Sequence, residues 1–264
     1  MNTYIRHMVK AKIFAGVEKK SRAAADAPKT DAKAFHAVVD SRRSVRIYAD
    51  ELVPKAVVDA CLDAALKAPN SSNLQVWEIH HVVDASKKQA LVEACLSQPA
   101  AATAPELFVF VSRPDLWRRN AAWMIEAFDR QPEVPDSAYQ YYQKIVPLVY
   151  NMGPLGIFTP LKWLAFNLRG LQRPTPREPV GKWGMRIWAH KSTALACAHF
   201  MLAMRAHGFD TCPMEGLDSK RVKRILGLPR AAGVTMAISA GRRAEGGIYG
   251  PRMRFDSKHF IHRH

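Results

Sequence analysis

The chain is poor in cysteine, short of acidic residues and without any long apolar run. Its four cysteines, Cys61, Cys95, Cys197 and Cys212, are widely spaced and form no CxxC pair. That argues against a zinc site and fits reduced thiols in a cytoplasmic protein. No stretch reaches about 18 uninterrupted apolar residues, so no transmembrane helix is expected. The N-terminus lacks a long apolar core with a small-residue cleavage site, so no signal peptide is expected. Also missing are a GxGxxG after a strand, a GxxxxGK[ST], a GxSxG and an HExxH. Ten histidines are present, but none clusters with carboxylates at ligand spacing, so no metal site is expected. His259 and His262 read as surface residues, and one of His80 and His81 reads as buried and hydrogen-bonded. With neither metal nor nucleophile in view, difficult chemistry would need a borrowed cofactor.

What is present begins with charge. Acidic residues number 23 against 39 Lys and Arg, a formal net charge of +16 in 264 residues. Such an excess points to an anionic partner: nucleic acid, a membrane surface or a phosphorylated small molecule. No nucleic-acid motif is visible, so no specific nucleic acid is expected. The excess is also local. Residues 1–30 carry seven Lys/Arg and two Asp/Glu, residues 130–191 nine and three, which together account for +11. The remaining composition, 48% apolar and 23% charged, is that of an ordinary globular protein large enough for a real core.

Along the chain, residues 1–34 read as a basic extension. Ile5, Met8, Val9, Phe14 and Val17 roughly follow a helical stripe among Lys10, Lys12, Lys19, Lys20 and Arg22, and Ser21–Lys29 reads as a linker. A basic amphipathic segment of this kind suits an anionic membrane, its own protein surface or a partner subunit. Phe35–Asp40 reads as a short helix, and Pro54 opens a stronger one that stops at Pro69. Trp77–Val83 is a strand, Ser86–Leu96 a helix capped by Ser86, and Leu107–Val111 a buried strand. Residues 115–130 are helical. Residues 131–188, with Tyr139, Tyr141, Tyr142, Trp163, Trp183, Trp188 and several prolines, read either as an inserted lid and docking element or as a core helix pair. Ser192–His207 is a helix, Thr211–Gly216 a loop, Asp218 the cap of a short helix ending at Gly227, and Val234–Ala240 a strand. Strands interleaved with helices indicate an α+β or α/β sandwich.

Ser41-Arg42-Arg43-Ser44-Val45-Arg46 places three arginines and two hydroxyls in six residues. The arginine fork suits phosphate, although a solvated basic face has the same composition. Three more segments bear on that choice. They are Ala68-Pro69-Asn70-Ser71-Ser72-Asn73-Leu74-Gln75-Val76-Trp77, then Cys212-Pro213-Met214-Glu215-Gly216 followed by Leu226-Gly227-Leu228-Pro229, and finally Arg252-Met253-Arg254. In this order the four segments resemble the RRSxR start, the APSxxNxQPW loop, the PxEG loop and the basic-x-Arg element of the FMN-dependent nitroreductase family. The resemblance covers about residues 35–129 and 189–262.

The resemblance implies an α+β fold: a three-layer sandwich with a mostly antiparallel central sheet, in a domain-interlocked homodimer. Residues 35–264 would be the FMN-binding domain, with 131–188 inserted. Arg42, Ser44, Arg252 and Arg254 would hold the FMN phosphate, and Arg46 would lie near the flavin's pyrimidine edge, where a cation raises the reduction potential. Arg43 belongs to the same cluster without a defined role. Pro69, Asn70, Ser71 and Asn73 would reach the flavin from the second subunit. Pro213, Met214, Glu215 and Gly216 would form the loop whose backbone N–H meets flavin N5, so no side chain is assigned as the acid. Gln98 stands where the family often has an amide, and the usual nearby lysine is missing. Cys212 reads as a small buried residue rather than a redox centre. The implied activity is ping-pong: NADH or NADPH reduces FMN, and a nitroaromatic, quinone or similar flat small-molecule acceptor reoxidises it. Relatives with other flavin reactions (dehalogenation, dehydrogenation, flavin degradation) and a non-catalytic basic binding protein remain rival readings. The charge in residues 1–30 and 130–191 adds the expectation of peripheral contact with an anionic membrane.

Overall fold

A computed structural model describes residues 28–264. The stripe and linker expected in residues 1–27 lie outside the described residues. Helix α1 (Ala32–Ser41) starts at Asp31, whose carboxylate accepts from the Lys33 and Ala34 N–H groups. Helix α2 (Lys55–Leu66) follows Pro54 and buries Val58, Cys61 and Ala65 on one face. Strand β1 (Trp77–His81) leads to α3 (Ala85–Ala94), the short α4 (Pro99–Ala102) and β2 (Glu106–Ser112). Then come α5 (Trp117–Asp129), α6 (Asp136–Gln140), a π-helical turn at Tyr141–Ile145, α7 (Val146–Tyr150) and α8 (Thr159–Gln172). The 26-residue α9 (Gly181–Ala206), β3 (Asp210–Met214), α10 (Ser219–Ile225) and β4 (Gly233–Gly241) complete the order.

Three boundaries differ from the sequence reading. The cap of α3 is Asp84, which accepts from the Lys87 N–H, rather than Ser86, because a carboxylate one residue before the helix reaches the free donor first. The long helix begins at Gly181 instead of Ser192, so eight residues assigned to the insert belong to it. There the buried face of Met185, Trp188 and Ala189 alternates with exposed Trp183, Arg186 and Ile187, which masks the period. Finally, Thr211–Met214 is strand rather than loop. Pro213 is tolerated because β3 is an edge strand.

The four strands pair antiparallel throughout, in the order β1-β2-β4-β3. Strand β2 shows why the sheet is the middle of three layers. Leu107, Val109 and Val111 join one core with Leu91, Cys95, Ala101 and Val222 from α3, α4 and α10. Phe108 and Phe110 turn to the opposite core, with Cys61 and Ala65 of α2 and Ala196, Phe200 and Met204 of α9. A strand buried on both faces is apolar at every position, and side chains of period two then serve both layers. A third core gathers Leu74 and Val76 with Trp117, Tyr142, Val146, Tyr150 and Trp188. The region expected as an insert is therefore divided: the π-helical turn and α7 pack as core through Tyr142, Val146 and Tyr150, whereas α6 and α8 bury no side chain.

Candidate functional site: an arginine cradle

Arg42, Arg43, Ser44 and Arg46 leave the end of α1 and run in extended form along the sheet edge. Ser44 bridges Thr211 of β3 in parallel, and the Val45 N–H donates to Thr211 O. On the other side the Arg46 N–H donates to Gly247 O at 2.8 Å, and the Ala244 N–H to Ile47 O. Gly247 is required there, since a Cβ would lie 2.5 Å from Ile47 O. This pairing carries the chain from β4 back to the arginines, so that Gly250, Arg252 and Arg254 face Arg42, Ser44 and Arg46 across a cavity of about 370 Å³. Two basic segments more than 200 residues apart in sequence thus meet in one place.

Each arginine is held differently. Arg252 Nη2 donates to Asp40 O at 2.9 Å and to Arg42 O, filling the carbonyls at the C-terminus of α1, where the helix dipole favours a cation. Arg43 Nη2 donates to Gly250 O, which gives this residue the role of tying the two segments together. The Arg46 guanidinium stacks over the Tyr249 ring at 5.2 Å and reaches Ser44 O at 3.4 Å. Arg254 donates to Met253 O at 2.7 Å. The Arg42 guanidinium makes no hydrogen bond among the described residues. Its pKa is lowered by burial and, next, by the like charges of Arg252 and Arg254. None of the five arginines has a carboxylate within salt-bridge distance among the described residues; the acids nearby are taken, Asp210 by Arg205 and Arg243 and Glu51 by Arg242. Arg42 and Arg43 are half-buried, Arg46, Arg252 and Arg254 are exposed, and cations crowded together in this way with no acid among the described residues form a site whose missing element is an anion.

Strand β3 connects the cradle to the Pro213-Met214-Glu215-Gly216 segment. Cys212 sits close enough to Arg46 and Arg42 for both to favour its thiolate, but burial dominates and raises its pKa, so it is an inert buried thiol. Beyond Met214 the chain turns out. Gln98 Nε2 donates to Gly216 O at 2.8 Å and to Cys95 O at 2.9 Å, so this amide anchors the turn through its nitrogen. The Gly216 N–H has no acceptor among the described residues. Glu215 lines a groove of about 600 Å³ with Ile187, His190 and Lys191 of α9. His190 spans Thr235 Oγ1 at 2.9 Å and Ser112 Oγ at 3.4 Å, and burial, then Arg186, lowers its pKa. Its position emerges only once α9 is extended back to Gly181.

The Pro69–Asn73 segment is not part of the cradle within one chain. Asn70 Oδ1 accepts from the Gln75 N–H at 2.7 Å, and Ser72, Asn73 and Gln75 all have positive φ. The loop stands on tyrosines. Ser72 Oγ meets Tyr141 Oη at 2.7 Å and Tyr150 Oη at 3.0 Å, while Tyr142 Oη donates to Ser72 O at 2.7 Å. These tyrosines come from the region that sequence patterns left unplaced. Pro69, Ser71 and Asn73 remain exposed above them. Of the His80–His81 pair, His81 bonds Glu106 at 2.6 Å, whereas the buried His80 Nε2 makes no hydrogen bond among the described residues and lies 3.6 Å from Glu78 Oε2.

Comparison with known proteins agrees with this architecture. The chain is 26% identical over 219 residues to "NADH dehydrogenase" of Thermus thermophilus, covering 80% of this chain and 88% of that one. It is 44% identical over 64 residues to "4-nitrobenzoate reductase" of a Nocardioides species, 24% of this chain and 26% of that one. Among solved structures, a chain from Exiguobacterium sibiricum, described as a nitroreductase in complex with FMN, superposes with a TM-score of 0.63 at 20% identity. It covers 91% of this chain and 100% of that one. An NAD(P)H:FMN oxidoreductase assignment from Staphylococcus epidermidis gives 0.69 at 21% identity, covering 90% and 99%. The Nitroreductase family model matches residues 39–242, from the start of the arginine cluster to the end of the last strand. The chain belongs to the Nitroreductase family.

Proposed function

We propose that this protein is an FMN-dependent oxidoreductase that takes reducing equivalents from NADH or NADPH and passes them to a flat, electrophilic small molecule such as a nitroaromatic or a quinone. The observation that carries this reading is the arginine cradle. Arg42, Arg252 and Arg254 with the Ser44 hydroxyl present an anion site with no protein anion among the described residues to fill it. A terminal phosphate fits it by charge and by the number of donors. FMN, when bound, accepts and donates the hydride. The chain's own residues then bind and orient. Arg42 and Ser44 take the phosphate, and Arg252 holds the cradle closed on α1. Arg46, fixed by Tyr249, supplies positive charge toward the ring system. The free Gly216 N–H, locked in place by Gln98, offers a donor to a ring nitrogen without an ionisable side chain. Pro213 and Met214 carry the strand to that turn, and Glu215 lines the groove through its side chain.

The loop at Pro69, Asn70, Ser71 and Asn73 stands apart from the cradle of its own chain, which supports a homodimer in which each copy lends the loop to its partner's site. The exposed apolar side chains of the C-terminal segment, Met253, Phe255, Phe260 and Ile261, also suit a second copy. The names of the relatives, a dehydrogenase of NADH and a reductase of 4-nitrobenzoate, fit the donor and the acceptor class proposed. The test is direct. Purified protein loaded with FMN is expected to be yellow and to bleach with NADH or NADPH under anaerobic conditions, then to recover on adding a quinone or nitroaromatic. A protein that stays colourless after incubation with FMN would sink the reading.

A further inference from the structure

Helix α8 is built inside out. Leu161, Leu164, Leu168 and Leu171 recur at helical spacing, which in a globular protein marks the face turned to the core. Here that stripe faces outward: Leu168 is 57% exposed and Leu171 81%, and the adjoining Ile157 and Trp163 are exposed with them. The polar residues face the protein instead. Lys162 Nζ donates to Val149 O at 3.2 Å, and burial brings its pKa down to about 8. Asn167 Oδ1 accepts from Arg177 Nη1 at 2.5 Å. At its start α8 packs on α9, where a Cβ on Gly181 would lie 2.9 Å from Thr159 Cγ2. The first turn of α9 adds exposed Trp183, and Arg186 lies over the Trp183 ring at 5.3 Å.

The charge around this face is one-sided. Residues 157–191 hold seven Lys and Arg (Lys162, Arg169, Arg173, Arg177, Lys182, Arg186 and Lys191) against the single acid Glu178. A second copy carries the same formal net charge of +16 and is a poorer electrostatic match to this basic face than an anionic surface. The N-terminal residues 1–27 are no better matched, with six Lys/Arg against two Asp/Glu. Among the described residues no helix is long and apolar enough to cross a membrane. What remains complementary is a surface that is apolar within and negative at its rim. A 14-residue helix lying in the plane of such a surface can bury a leucine stripe while tryptophans sit at headgroup level and Lys and Arg stems reach phosphates.

We propose that the exposed leucine stripe of α8, with Trp183 of α9, is a docking face for an anionic phospholipid bilayer. The protein lies on the membrane by this face and does not span it. Docking is independent of flavin binding, so the two readings stand or fall separately.

The test is co-flotation of the full chain with vesicles of phosphatidylcholine, with and without phosphatidylglycerol. Binding is expected to the phosphatidylglycerol vesicles and to weaken as salt is raised. The Leu164→Glu/Leu168→Glu double variant is expected to lose about tenfold or more of that partitioning, the loss that follows when two leucines no longer enter an apolar medium. Its mass in solution by light scattering should equal that of the wild type. Leu171→Gln, at a position too exposed to affect folding, should give a smaller loss in the same direction. Undiminished vesicle binding in both variants, or no binding by the wild type at low salt, overturns the proposal. A change of oligomeric mass in the double variant also overturns it, by showing that a second copy covers this face.

Discussion

Two groups of arginines meet near the start of β3, and they differ in one component. Arg205 and Arg243 close on Asp210, which is 2% exposed, with Arg243 Nε 2.6 Å and Arg205 Nη1 2.9 Å from its oxygens. Arg42, Arg46 and Arg254 have no such acid among the described residues. Their electrostatics run in opposite directions. The hydrogen bond to Asp210 raises the pKa of Arg243, whereas burial and neighbouring cations lower that of Arg42. The first group is complete and spends its charge on the fold. The second is incomplete in the protein alone, and its charge is available to a ligand. Counting arginines in the sequence does not separate the two groups; the position of Asp210 does.

The comparison can be broken most severely at Asp210. Asp210→Ala leaves two partly buried cations unpaired and should lower stability by about 2–3 kcal/mol, read as a shifted urea midpoint. Arg42→Ala should act the other way. Stability of the FMN-free protein is unchanged or raised, because like-charge crowding is relieved, while FMN affinity falls about tenfold or more, the cost of one charge-assisted contact. If Arg42→Ala instead destabilises the free protein as Asp210→Ala does, the two clusters are alike and the distinction fails.

Smaller effects sharpen the picture around the cradle. Tyr150→Phe removes the hydroxyl contacts to Ser71 and Ser72 and should cost about 1 kcal/mol in stability. His190 carries a folded-state pKa below its ordinary value of 6.5, because burial and then Arg186 oppose its charge. The unfolded chain therefore takes up the proton first. The contribution is intact above about pH 6.5 and is lost as pH falls below it. His190→Gln should show a shallower fall in urea midpoint between about pH 7 and pH 5 than the wild type. The smallest effect is expected for Glu215→Gln, which should leave FMN affinity within about twofold if the turn at Gly216 acts through its backbone.

Much of this was legible in the sequence, for reasons that can be named. Strand β2 declared itself as an uninterrupted run of β-formers because both of its faces are buried. The meeting of Arg42 with Arg252 and Arg254 followed from the resemblance to the family and not from spacing, since no local rule joins residues 210 positions apart. The start of α9 was hidden by the exposed Trp183 and Ile187, which break the expected alternation of a globular helix. The same inversion concealed α8, whose leucines point away from the core. Periodicity reports which residues share a face and is silent on which way that face turns. Strand β3 was missed because Pro213 reads as a breaker, and only the edge position of the strand permits it. The tyrosines beneath Ser72 gave no signal at all, because each contact joins segments about 70–80 residues apart.

The central claim is that the unpaired arginines hold a phosphate, and it is tested most directly by titrating flavin-free protein with FMN and with riboflavin, which share the ring and differ in that group. The wild type should bind FMN more tightly than riboflavin by about tenfold or more, and the gap should shrink in Arg42→Ala and close further when Arg254→Ala is added. Equal affinity of the wild type for the two flavins, or a gap that survives both substitutions, would contradict it.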